Sequence, residues 1–194
     1  MSTAARPAAS NWNIANGLTV LRLVLVPLFG WLLLTDDGES DGMRVAAFVV
    51  FAVAAATDKF DGELARRRGM VTDFGKVVDP IADKALTGMA FIGLSILGEL
   101  PWWVTVVVLV RELGVTALRF WVIRIGVIPA SRGGKLKTAL QTLALGLYIL
   151  PLSSAFDPVE IVAMALAVIV TVVTGFDYAA QAWRMHRQGQ ATPS

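Results

Sequence analysis

Six apolar runs, each near the length that crosses a lipid bilayer, constrain the fold of this chain more than any other feature. Apolar residues fill 56% of its 194 positions and charged residues only 16%, against about 25% in soluble domains. A bilayer-spanning helix needs about 20 apolar residues and bonds its backbone internally. We therefore predict an all-α integral membrane bundle of six transmembrane helices, at about 17–35, 43–67, 79–98, 101–125, 134–152 and 157–184.

The chain is long enough for one helical domain. We expect it at residues 17–184, after a juxtamembrane segment at 1–16 and before a polar tail at 185–194. The chain has no cysteine, which excludes disulfides and thiol chemistry. An acidic loop follows the first apolar run in place of a small-residue cleavage site, so we expect an uncleaved first helix. No motif indicates nucleic-acid binding, and membrane lipids are the expected surroundings.

Basic residues are concentrated in the loops on one side of this bundle. The other side carries mainly acidic loops, with Arg44 as its single basic residue. The positive-inside rule then predicts that both termini are cytoplasmic. We expect a multi-pass protein of the inner or plasma membrane, with its active site on the cytoplasmic side.

Four aspartates lie at the cytoplasmic ends of the second and third predicted helices: Asp58, Asp61, Asp79 and Asp83. The pairs are three and four residues apart, so each pair shares one helical face. Four carboxylates near a membrane cannot neutralise one another, which indicates a bound cation. Oxygen ligands without histidine or cysteine favour Mg²⁺ or Mn²⁺, and two such ions would suit a phosphoryl displacement.

Small residues and an arginine separate the two aspartate pairs. Gly62, Ala65 and Gly75 would let a bulky group approach the backbone, Arg66 would neutralise a diphosphate and Thr72 would add a hydroxyl. Small residues also pack membrane helices in any protein, but here they keep a fixed register with the aspartates.

A second basic set follows later in the chain, at Arg111, Arg119, Lys135 and Lys137. Arg111 lies inside a membrane helix, where an ionisable residue generally has a functional role. It could also form a structural ion pair with Glu112 or an aspartate. The basic cluster at 132–137 fits either ligand binding or an ordinary positive-inside loop.

The aspartate pattern resembles the signature of the CDP-alcohol phosphatidyltransferases at every specified position, Asp58-x2-Asp61-Gly62-x2-Ala65-Arg66-x8-Gly75-x3-Asp79-x3-Asp83. The likeness runs from about Asn13 to Gln141. Within the family, the segments at 13–27 and 111–141 resemble the bacterial phosphatidylglycerophosphate synthases. One departure is Ala15, where relatives often have proline.

This resemblance implies a set of roles. Asp58, Asp61 and Asp79 would bind the metal ions, and Asp83 would be both a ligand and the general base. CDP-diacylglycerol would be bound by Asn16, Thr19, Gly62, Ala65, Arg66, Thr72 and Gly75. An acceptor alcohol would attack the β-phosphorus, and CMP would leave. Dimers are common in the family, so a homodimer is possible.

The acceptor implied by the resemblance is glycerol 3-phosphate, whose dianionic phosphate would bind Arg111, Arg119, Lys135 and Lys137. The same charges would serve inositol phosphate. Two other classes compete with this interpretation. A UbiA-type prenyltransferase would have about nine helices and would lack the glycine-alanine-arginine core. A cation transporter commonly shows inverted repeats, and no internal repeat is evident here.

Overall fold

In this computed structural model, the backbone is described for residues 14–68, 73–122 and 132–190, and side chains for residues 17–57, 78, 81–121 and 133–187. Within these ranges the chain is helical and has no strand, which confirms the all-α prediction. The six helices are α1 (Ile14–Leu34), α2 (Asp41–Arg68), α3 (Asp73–Ile96), α4 (Trp102–Val122), α5 (Arg132–Ile149) and α6 (Asp157–Gln190).

Two helices are longer than their apolar runs. α3 begins at Asp73, six residues before the predicted start at 79, and α6 continues to Gln190, past the predicted end at 184. Hydropathy marks the stretch of a helix that suits lipid, whereas backbone hydrogen bonds continue through polar turns. The polar tail expected at 185–194 is therefore partly helical.

The chain divides into two compact units, Met1–Ala90 and Phe91–Ser194. In the first unit α1 and α2 pack against each other, and the Phe29 and Phe51 rings lie 5.7 Å apart between centroids. A short 3-10 helix at Thr35–Gly38 joins them, with left-handed backbone at Asp36 and Asp37, a conformation that aspartate tolerates better than most residues.

In the second unit α6 packs against both α4 and α5. Buried residues recur on α6 at Met164, Ala167 and Thr171, spacings of three and four that keep them on one face. Near the start of α4, Thr105 donates a hydrogen bond to the Phe91 carbonyl and is 2.6 Å from the Ser95 hydroxyl. These polar side chains are satisfied by one another or by backbone, as burial among apolar helices requires.

The outward faces of both units are strongly apolar. Val110 and Leu113 on α4 are each 65% exposed, and Phe176 on α6 is 73% exposed. Surfaces of this kind fit a lipid environment. Among the described residues, Gly17–Gly38 and Ser154–Arg187 are long and apolar enough to cross a membrane, by length and composition.

We expect Phe29→Ala to destabilise the first unit. The ring is fully buried against α2, and in a lipid environment, which is as apolar as the helix interface, the cost would be mainly the cavity left behind. At about 24 cal/mol per Å³ of cavity, removal of a phenyl ring costs on the order of 2 kcal/mol. Thermal unfolding in detergent measures this loss of stability. The control is Leu28→Ala, since Leu28 is next to Phe29 in the chain and 40% exposed. Equal unfolding temperatures for the two variants would contradict the packing described.

Candidate active site

The four aspartate positions lie on two consecutive helices, as predicted. Positions 58 and 61 fall within α2, and positions 79 and 83 within α3, so the helical spacing of each pair is retained. Asp83 is the one member whose side chain is described; it is half-buried and has an interaction partner. The side chains of the other three aspartates lie outside the described residues, as do those of Asn16, Ala65, Arg66 and Thr72 and the surroundings of Gly62 and Gly75.

The chemistry of this donor set fits hard divalent cations, because it consists of carboxylates alone. Among the side chains that the structure describes, no group of three histidine, cysteine, aspartate or glutamate residues could hold a metal ion.

A polar strip on α1 lies in the same unit as the aspartates. Thr19 and Arg22 are three residues apart on one face, and each is only 1% exposed. Both have interaction partners. Further along α1, the same face carries the buried apolar residues Val26, Phe29 and Leu33. Thr19 is a predicted site residue and Arg22 is not, although the spacing of Arg22 from Thr19 places both on one helical face.

The second basic set is centred on Glu112. One carboxylate oxygen, Oε1, accepts a hydrogen bond from Nη1 of Arg111 at 2.9 Å and from Nζ of Lys137 at 2.6 Å. Arg111 and Glu112 are adjacent on α4, whereas Lys137 lies on α5. The ion pair with Glu112, which the sequence left as an alternative role for Arg111, is therefore present, and it also includes Lys137.

The rest of the Arg111 guanidinium is held by α6. Its Nε donates to the Thr171 carbonyl at 3.0 Å, and its Nη2 donates to the Thr174 hydroxyl at 2.8 Å. The Thr171 hydroxyl in turn accepts a bond from the Gln141 amide at 2.9 Å and donates to the Ala167 carbonyl. All three guanidinium nitrogens of Arg111 are thus bonded, and helices α4, α5 and α6 meet at one polar cluster.

The other two predicted acceptor-binding residues lie differently. Arg119 and Lys135 are both exposed, on α4 and α5 respectively. The structure therefore brings Arg111 and Lys137 together and leaves Arg119 and Lys135 at the surface of their helices.

The side chains of this ion pair carry two positive charges and one negative charge. Arg111, Glu112 and Lys137 are each at most 15% exposed. Charges held away from water interact more strongly than solvated charges do.

These features define a class: an all-helical protein with a lipid-compatible surface, carboxylates on two consecutive helices and a cationic cluster among the helices. The chain belongs to the CDP-alcohol phosphatidyltransferase family, whose model matches residues 12–173.

Individual relatives are similar over most of their length. A protein of Mycobacterium tuberculosis named "Probable phosphatidylglycerophosphate synthase" is 59% identical over 172 residues, covering 89% of this chain and 82% of the relative. The "CDP-diacylglycerol--glycerol-3-phosphate 3-phosphatidyltransferase" of Bacillus subtilis is 34% identical, covering 89% of this chain and 96% of the relative. A protein of the same name from Rickettsia typhi is 36% identical, covering 86% of this chain and 94% of the relative.

Glu112→Gln should destabilise the second unit, because it leaves two nearly buried cations without the carboxylate they share. Breaking a buried ion pair in this way costs about 3 kcal/mol or more. Thermal unfolding in detergent measures the loss. Adding Lys137→Met removes one of the two cations, so the double variant should regain part of the stability. A Glu112→Gln protein as stable as the parent would show that the shared bond contributes little.

Proposed function

We propose that this protein transfers the phosphatidyl group of CDP-diacylglycerol to glycerol 3-phosphate, giving phosphatidylglycerophosphate and CMP. The observation that carries the proposal is the 59% identity to a protein named as a probable synthase of that product. The complete aspartate signature lies inside the family match at 12–173, and the cationic cluster at Arg111 and Lys137 supplies a partner for the acceptor's phosphate.

The proposal includes a divalent metal site. Asp58, Asp61, Asp79 and Asp83 would hold one or two Mg²⁺ or Mn²⁺ ions, for which an all-carboxylate donor set is suited. Bound there, such ions would polarise the β-phosphate and stabilise the charge of departing CMP.

The remaining chemistry falls to the protein's own residues. Asp83 accepts the proton of the attacking glycerol hydroxyl. As that proton leaves, the hydroxyl oxygen bonds to the β-phosphorus, the bond from this phosphorus to the bridging oxygen breaks, and CMP departs with the bridging oxygen.

The CDP moiety would be bound by the residues named from the family signature, together with Asn16 and Thr19 on α1. We add Arg22 to this group, because it lies fully buried on the face that also carries Thr19. A buried guanidinium in the unit that holds the aspartates suits a diphosphate-bearing ligand.

The topology is part of the proposal. Six transmembrane helices, cytoplasmic termini and an active site on the cytoplasmic side would give water-soluble glycerol 3-phosphate direct access, while the diacyl chains stay in lipid. α4 carries Arg111, Glu112 and Arg119, yet the first two of these are paired within the protein, which lowers the cost of placing them in a membrane. A homodimer is included on the family resemblance alone.

Asp83→Asn should abolish turnover while CDP-diacylglycerol binding is partly retained, because the amide cannot accept the hydroxyl proton. The assay is CMP release by purified protein with CDP-diacylglycerol, Mg²⁺ and glycerol 3-phosphate, beside a direct measurement of lipid binding. Near-normal turnover by Asp83→Asn would exclude it as the base.

The same assay tests the acceptor and the enzyme class. Inositol phosphate, serine and phosphatidylglycerol are offered in parallel with glycerol 3-phosphate. Preference for inositol phosphate would overturn the proposed substrate but leave the enzyme class in place. A cation transporter would release no CMP with any acceptor, and retention of activity without divalent metal would exclude the metal site.

Lys137→Gln should raise KM for glycerol 3-phosphate about tenfold or more and leave KM for CDP-diacylglycerol unchanged, since it removes one charge-assisted phosphate contact. Lys135→Gln should have a smaller effect, because Lys135 is exposed. Arg184→Gln, an exposed cation outside the proposed site, is the control. Equal effects of all three variants would point to general surface charge rather than to a phosphate site.

A further inference from the structure

Gly175 on α6 lies directly beneath the side chain of Arg111. A methyl group added at this glycine would come within 2.9 Å of Arg111 Cγ and 3.2 Å of its Nε. Non-bonded carbon atoms prefer about 3.5–4.0 Å, so even alanine would displace the arginine stem. The bare backbone of Gly175 is therefore the surface on which Arg111 packs.

Two neighbouring residues complete this contact. The Thr171 carbonyl and the Thr174 hydroxyl hold Nε and Nη2, leaving Nη1 directed at Glu112. We call Thr171, Thr174 and Gly175 the Arg111 seat. The seat holds the guanidinium, and Nη1 of that guanidinium shares the Glu112 oxygen with Lys137.

We propose that Gly175 is a positioning residue for acceptor binding: by lacking a side chain, it lets Arg111 lie against α6 with its guanidinium placed beside Lys137. The inference rests on the proposed function, in which these two cations bind the phosphate of glycerol 3-phosphate. Gly175 itself touches no substrate in this scheme and acts only through Arg111.

A competing explanation is simple helix packing, because small residues let membrane helices approach closely. The two explanations differ in what an added methyl group changes. Gly175→Ala preserves every charge and hydrogen-bonding group of the cluster but shifts the arginine. A positioning role predicts a selective loss of affinity for the phosphate-bearing acceptor, whereas a packing role predicts a general loss of stability and activity.

The chain offers a closely matched control at Gly114. This glycine lines the same groove between α4 and α6, one turn from Arg111, yet a methyl group added there would meet nothing within 4 Å. Gly114→Ala therefore makes the same chemical change in the same groove without contacting the arginine.

The experiment compares Gly175→Ala, Gly114→Ala, Arg111→Lys and the double variant Gly175→Ala/Arg111→Lys in the full-length protein in detergent. KM for glycerol 3-phosphate, KM for CDP-diacylglycerol and the unfolding temperature are measured for each. We expect Gly175→Ala to raise KM for glycerol 3-phosphate about tenfold, as small misplacements of binding groups do, and to leave the other KM unchanged. Gly114→Ala should match the parent protein.

The double variant separates the explanations. If Gly175 acts through Arg111, adding Gly175→Ala to Arg111→Lys should raise KM little further, since the guanidinium is already gone. Fully multiplicative effects, or equal rises in both KM values, would overturn the positioning role. If Arg111→Lys itself leaves KM for glycerol 3-phosphate unchanged, the proposed acceptor site is wrong. If Arg111→Lys raises KM for glycerol 3-phosphate but Gly175→Ala does not, the positioning role of Gly175 is wrong and the proposed acceptor site stands.

Discussion

An arginine in the middle of an apolar helix must have its N–H donors bonded within the protein. In the second unit Arg111 meets this requirement with partners on α4 and α6, so its hydrogen bonds help to hold the helices together. Its neighbours Val110 and Leu113 are exposed, while its own side chain turns inward to Glu112 and α6. Without those partners the charge would carry a penalty of several kcal/mol in a lipid environment. Polar bonds that join all three helices therefore help to specify how α4, α5 and α6 fit together.

The bonds that stabilise the cluster would also prepare it for the acceptor proposed above. Glu112 keeps two cations close together that would otherwise repel each other. Cations held in place before a phosphate group arrives would reduce the entropy lost when it binds. Removing Glu112 would therefore affect the fold and, in the proposed function, acceptor binding.

Much of the fold could be predicted from the sequence. Hydropathy located all six helices in the described part of the chain, and misplaced mainly the start of α3 and the end of α6, where a helix continues through polar turns. The aspartate register followed from spacing, and the family followed from the resemblance of the whole signature, including its glycines, alanine and arginine. The four basic residues were less predictable: Arg111 and Lys137 lie together, whereas Arg119 and Lys135 are exposed.

By itself, then, the sequence determined the helices, the pairing of carboxylates within α2 and α3, and the family. These depend on helical period, local hydropathy and short spacings. The tertiary structure decided which cations share an anion, and that Gly175 is where Arg111 packs. Residues 111, 137, 171 and 175 lie on three different helices, and no local pattern encodes which of their faces meet. Which faces meet depends on hydrogen bonds between buried donors on one helix and acceptors on another, and these bonds form only in the packed structure.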